Sequence, residues 1–190
     1  MRHILLIKTH DGQTPWLERK WCDELEDPDP FPSSTYVDKI KNVKDNKIAE
    51  FNFKVLHFIL PCNKHLKTWR IIDCDKCDVC GEVQDLKHLL YLCRRNRETW
   101  HVIETTLQTT LTLKDIIWGR NNCMFNWVTS LVAFIMYKEW IVCKNEEKNR
   151  SDNNLKRFIK AELKYKIDVY SKIDRLKQIT DRLKDIVLVL

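Results

Sequence analysis

A chain of 190 residues that is 44% hydrophobic, with seven tryptophans and only three glycines, has a globular composition; so few glycines, with five prolines, exclude an all-β fold that turns tightly every few residues. The length suits one ordinary domain with an appendage, or two small ones. A net charge of +6 permits a polyanionic partner without requiring one.

The chain begins with an apolar run of only four residues, Ile4 to Ile7. A secretory signal needs roughly 7–15, so export is not expected. Eight cysteines without such a signal then point to reduced thiols or metal ligation in a reducing intracellular compartment. Residues 1–33 read as a weakly structured segment with one short helix, "PWLERKWCDELED", where Pro15 suits the first turn. "PDPFPSS" follows, and its three prolines in five residues enforce a loop. Ser33 or Ser34 then caps a helix expected to run to Leu60, with Ile48, Phe51, Val55, Phe58 and Ile59 at helical spacing. Pro61 stops it, and Asn63 is a good cap for the next helix, "KHLKTWRII".

No proline follows Pro61, so nothing interrupts helices in the rest of the chain. "VQDLKHLLYL" reads as a short helix, and further helices are expected at 96–109, at 112–118 with Gly119 as cap, and at 124–145. Residues 124–143 are the most membrane-like stretch, but Lys138 and Glu139 interrupt it. A spanning helix needs about 20 predominantly apolar residues, so a buried core helix is expected and no membrane partner. Polar residues 145–154 read as a linker. Beyond it Leu155, Ile159, Leu163, Ile167, Tyr170, Ile173, Leu176, Ile179, Leu183 and Ile186 recur in steps of three and four, which describes one long amphipathic helix. That helix either docks on a partner or on its own core, or pairs as a coiled coil. The expected architecture is all-α. It comprises an N-terminal segment (1–33), a small helical domain with a zinc knuckle (34–145), and a linker with the long helix (146–190).

The cysteine-rich stretch is "CDKCDVCGEVQDLKHLLYLC", residues 74–93. Structural zinc takes four thiolate or imidazole donors in a tetrahedron, and Cys-x2-Cys places two sulfurs on one ion. Gly81 after Cys80 fits the tight turn, because glycine tolerates positive φ. The register that completes the set is Cys77, Cys80, His88 and Cys93. His88 and Cys93 are five apart, about 140° around an ideal helix. They cannot share a regular helical face, so the helix is expected to end or distort between them. The rival register uses Cys74 and Cys77, which lengthens the spacer to His88 and misplaces the glycine. The plainer alternative is a chance cluster of buried cysteines. Cys22, Cys62, Cys123 and Cys143 stand apart and read as small core residues.

A Cys3His zinc site carries a local charge of −1. Lys76, Lys87, Arg94 and Arg95 lie close in sequence and offset it; the alternative for Arg94, Arg95 and Arg97 is contact with phosphates. Trp69 likewise reads either as core beside the knuckle or as a stacking platform.

These residues resemble the zinc-binding region of non-LTR (LINE-type) retrotransposon reverse transcriptases. The family pattern is an aromatic-rich helix, a Leu-Pro turn, a helix ending near Trp, a Cys-x2-Cys-Gly knuckle, and His-Leu-Leu before the last Cys. It is met here by Phe51, Phe53, Leu60, Pro61, Leu66, Trp69, Cys77, Cys80, Gly81, His88, Leu89, Leu90 and Cys93, with Trp100 and "FIMYKEW" beyond. The match covers roughly residues 45–145. The resemblance implies a C-terminal module of a larger polyprotein that helps a polymerase hold template RNA and target DNA. The polymerase's own paired aspartates are absent from this sequence, as is the His-x-Glu signature of zinc deaminases. A non-catalytic chain is therefore expected.

Two functions remain open. In the first, Lys64, His65, Lys67, Trp69 and Arg70 of the "NKHLKTWR" helix, extended by Arg94, Arg95 and Arg97, grip RNA or single-stranded DNA through phosphates and stacking. In the second, zinc staples a structural module whose C-terminal helix docks a protein. A decayed retroelement copy without selected function is the third possibility.

Overall fold

The computed structural model of the protein describes residues 16–26, 39–40, 43, 45–146 and 152–190. Among these the fold is all-α. The helices are α1 (Trp16–Leu25), α2 (Asn46–Leu56), α3 (Asn63–Thr68), α4 (Arg94–Leu107), α5 (Leu113–Trp118), α6 (Cys123–Asn145), α7 (Asp152–Tyr170) and α8 (Lys177–Val189). A π-helical turn (His88–Leu92) precedes α4, and a 3-10 turn (Asp174–Leu176) precedes α8.

Helix α6 is the axis of the core. Val128, Leu131, Val132 and Ile135 are wholly or almost wholly buried, and α2, α5, α7, α8 and the π turn all pack on it. The side chain of Asn122 accepts the N–H of Phe125 at 3.0 Å, which caps this helix. Among the described residues no helix is long and apolar enough to cross a membrane. Five of the seven tryptophans (21, 100, 118, 127 and 140) are buried, whereas Trp16 and Trp69 are exposed.

The helix expected to run unbroken to Leu60 is interrupted, since residues 39 and 40 are helical and 43 and 45 are not, and it ends early. Val43 is not helical, and Asp45 caps α2 by accepting from the amides of Lys47 and Ile48. The proposed caps Ser33 and Ser34 and the "PDPFPSS" loop lie outside the described residues. At its other end α2 stops at Leu56, before Pro61 is reached, because Phe58 turns to a φ of +56°. That turn stacks its ring on Trp21 at 4.1 Å, and the Trp21 indole donates to the Leu56 carbonyl at 2.9 Å. Tertiary contact sets this end. Asn63 also has another task. It lies inside α3, and its amide reaches back to the Lys76 carbonyl at 2.6 Å.

The C-terminal amphipathic pattern is helical, and α7 is long at 19 residues. It does not continue as one rod to the end. The chain turns at 171–176 and returns as α8, so α7 and α8 form a packed pair. The periodicity runs through the turn because Leu176 there is itself buried and Ile173 packs against the core. Leu155, Ile159, Leu163, Leu183 and Ile186 are covered within the molecule, against α6 and α4. Docking on its own core is what this stripe does, and none of it is left for a coiled coil. At the end of α7, Asp45 accepts from Lys166 and from the Tyr170 hydroxyl, so α2's cap also anchors α7.

Candidate metal centre

The knuckle is a short hairpin. Lys76 bridges Val83 in antiparallel fashion, the Cys77 amide donates to the Glu82 carbonyl at 2.7 Å, and the Gly81 amide returns to the Cys77 carbonyl at 2.9 Å. Gly81 has a φ of +76°, as the turn requires. Asp85 then caps the following helical turn, its carboxylate accepting the His88 amide at 2.8 Å.

The distortion expected between His88 and Cys93 is a π-helical turn. The Cys93 amide donates to the His88 carbonyl at 3.0 Å, an i→i+5 bond that brings residues five apart back to one side. The Leu89 and Leu90 carbonyls in this turn are met by side chains of α4. Asn96 donates to Leu89, and the Trp100 indole donates to Leu90 at 2.8 Å. Cys93 serves α4 as well, its carbonyl accepting from the amides of Asn96 and Arg97.

Cys77, Cys80, His88 and Cys93 thereby come together, with all four donor atoms within 4.8 Å of one another. The Cys80 sulfur lies 3.2 Å from His88 Nε2, and the Cys77 and Cys93 sulfurs are 3.9 Å apart. Metal–donor bonds of about 2.0–2.3 Å set tetrahedral edges of roughly 3.5–3.8 Å, which these separations bracket. Cys77 and Cys93 are buried, and Cys80 is at the surface. The hydrogen bond from Cys93 draws the pKa of the Cys77 thiol far down, and the same bond together with burial pushes that of Cys93 up. Cys74 is exposed and stands outside the group, so the geometry assembles the Cys77 register and not its rival.

Of the isolated cysteines, Cys62 is core, and burial pushes its thiol up to about 11. Cys22 and Cys143 are half-buried. Cys123 departs from the core expectation: as the first residue of α6 it is exposed.

The residues expected to meet nucleic acid are dispersed. Lys64, Arg70 and Arg94 are exposed, and Trp69 is half exposed with His65 stacked on it at 5.7 Å. Trp69 is therefore not a lid on the metal site. Lys67 is exposed but bridges Asp75 at 3.0 Å. Arg97 is half-buried over the Tyr91 ring at 4.4 Å. Arg95 must be struck from the set. It is buried, and its guanidinium forks the buried Glu139 carboxylate at 2.8 and 2.6 Å. Nor does it offset the thiolates. Sequence reasoning missed this pair, though its signal was visible: an acid inside the apolar stretch of α6 needs a cation. Lys87 is likewise engaged, with Glu24 of α1 at 3.3 Å.

Comparison with protein-family models, with curated proteins and with solved structures yields no match to this chain.

Proposed function

We propose that the protein is a non-catalytic, zinc-stapled module that binds RNA or single-stranded DNA, of the kind carried by non-LTR retrotransposon reverse transcriptases. The observation that carries the reading is the four-residue cluster, three thiols and one imidazole. Soft thiolate with imidazole suits Zn2+ in a structural site, because four protein donors leave no open position for substrate. When bound, the ion would tie the hairpin (Cys77, Cys80) to the π turn (His88, Cys93). The resemblance over residues 45–145 supplies the family. The nucleic-acid part rests on exposed Trp69 standing with exposed Lys64 and Arg70, and on exposed Arg94 beside a metal ligand.

The test is binding of zinc-loaded protein to labelled single-stranded RNA and DNA across a salt series, with a chelated sample alongside. Zinc-dependent binding that weakens steeply with salt supports the reading. No binding at low salt by folded protein refutes it.

A second reading has its own observation. A groove of about 510 Å³ between α2 and α6 is floored by Phe51, Leu60, Phe134 and Tyr137, with Ile59 and Ile141 exposed at its edge. A zinc-stapled scaffold that docks a protein there would bind it with little salt dependence.

A further inference from the structure

The outer face of α7 carries a row of cations that enter no ion pair among the described residues. On α8, by contrast, four exposed charges pair along their own helix, Arg182 with Asp185 and Lys184 with Asp181. On the inner flanks of α7, Lys156 meets Glu98, Lys166 meets Asp45, and Glu162 meets Lys138. Arg157, Lys160 and Lys164 have no such partner among the described residues; Arg157 and Lys164 are exposed and Lys160 is half-buried.

Steps of three and four place these three side chains on one helical face. From Arg157 to Lys164 the stripe runs about 10 Å along the axis, at 1.5 Å per residue. Tyr165, 63% exposed, flanks it, and Asp168 closes its far end. Its near end approaches α4, the helix that follows Cys93, because Lys156 reaches Glu98 in the second turn of α4 at 3.7 Å. Exposed Arg94 sits one turn before Glu98 on that same helix, next to Cys93.

We infer that Arg94, Arg157, Lys160 and Lys164, with Tyr165 as a stacking platform, form a track for the backbone of single-stranded nucleic acid, laid from the start of α4 along α7. The inference rests on the nucleic-acid reading above and moves its main phosphate contacts from the "NKHLKTWR" helix to α7. Unpaired cations on a rigid helix meet phosphates without first breaking a salt bridge. An exposed tyrosine at the edge of the row adds the sequence-tolerant stacking that single strands offer and duplexes withhold.

The experiment measures anisotropy of a labelled mixed-sequence single-stranded RNA with zinc-loaded full-length protein over a salt series. Arg157→Gln, Lys160→Gln and Lys164→Gln are combined in one variant, and Arg182→Gln with Lys184→Gln on α8 form the control. All five side chains point to solvent or partly so, and thermal unfolding checks that each variant is folded. The track requires at least a tenfold loss of affinity in the α7 variant, with the salt slope shallower by about 2, as three phosphate contacts imply. Tyr165→Ala should lower affinity and leave the slope unchanged. The control should bind as the wild type does. An unchanged α7 variant alongside a weakened Lys64→Gln/Arg70→Gln variant overturns the track and leaves the nucleic-acid reading standing. No binding by the wild type at low salt overturns both. Capture by anionic vesicles in the absence of RNA binding would also overturn it, since the stripe would then be a membrane-surface contact.

Discussion

The backbone amide of Cys93 donates to the carbonyl of His88 at 3.0 Å, so that two residues five apart in sequence, on opposite sides of any regular helix, face one cluster. The π turn that achieves this needs help from the next helix. Asn96 and Trp100 supply it by donating to the carbonyls of Leu89 and Leu90. The four-residue cluster is thus held in shape by residues outside it.

Asn96→Ala and Trp100→Phe should therefore each weaken metal binding by roughly 10- to 100-fold, as loss of outer supporting contacts does elsewhere. Each also leaves a buried carbonyl unpaired, at a cost of about 1–3 kcal/mol. Competition with a coloured chelator reads the first effect and denaturant unfolding the second. Normal affinity in both variants would show that the ligands hold the turn unaided.

The buried pair Arg95–Glu139 joins α4 to α6. Removing one partner, as in Arg95→Met or Glu139→Gln, should destabilise by about 3–5 kcal/mol, because the remaining group loses the bidentate bond that compensates the burial of its charge. The double variant Arg95→Met/Glu139→Leu should recover most of that loss. Equilibrium unfolding of all three decides. A mild Arg95→Met effect, with a shallower salt slope for RNA, would return Arg95 to the phosphate contacts.

Two glycines have positive φ for different reasons. Gly119 sits at φ +80° and ψ −173°, a region essentially closed to other residues, and an added Cβ would lie 2.5 Å from the Asn126 side chain. Asn126 cannot easily yield, since it exchanges hydrogen bonds with the backbone of Arg120 at 2.7 and 2.6 Å. Gly81 has nothing within 4 Å of such a Cβ. Gly81→Ala should cost only the conformational term, about 1–2 kcal/mol, and Gly119→Ala distinctly more. Thermal melts of the two zinc-loaded variants give the order directly.

Asp45 links the start of α2 to the end of α7. Burial works to raise its carboxyl, but hydrogen bonds from Lys166, Tyr170 and the Ile48 amide outweigh that and hold it below the ordinary 3.8. A carboxylate with a lowered folded pKa adds stability that is complete above its unfolded value and is lost as pH falls through the folded one. Stability should fall on acidification below about pH 4. Asp45→Asn should be less stable than wild type at neutral pH and should flatten that acid limb. Parallel acid limbs in the two proteins would remove Asp45 from this role.

How much of this was legible in the sequence differs from element to element. The four clustered residues were readable because their spacing along the chain suits one tetrahedral site, and the same spacing required a broken helix at Cys93. Gly119 and the core nature of α6 followed from local pattern. The end of α2 did not, since it is set by Phe58 meeting Trp21 from another helix. Nor did the turn at 171–176, because the apolar period runs straight through it. Arg95 was misread because adjacency to other arginines says nothing about which side of α4 faces Glu139. The stripe on α7 was hidden for the converse reason: only the structure separates paired cations from unpaired ones.

The most direct measurement is metal content and zinc X-ray absorption on the wild type, Cys74→Ser and Cys77→Ser. One zinc per chain, with three sulfurs and one nitrogen, is expected for the wild type and for Cys74→Ser, and loss or severe weakening for Cys77→Ser. A metal-free wild type, or a Cys74→Ser protein that loses zinc while Cys77→Ser keeps it, would contradict the assigned centre.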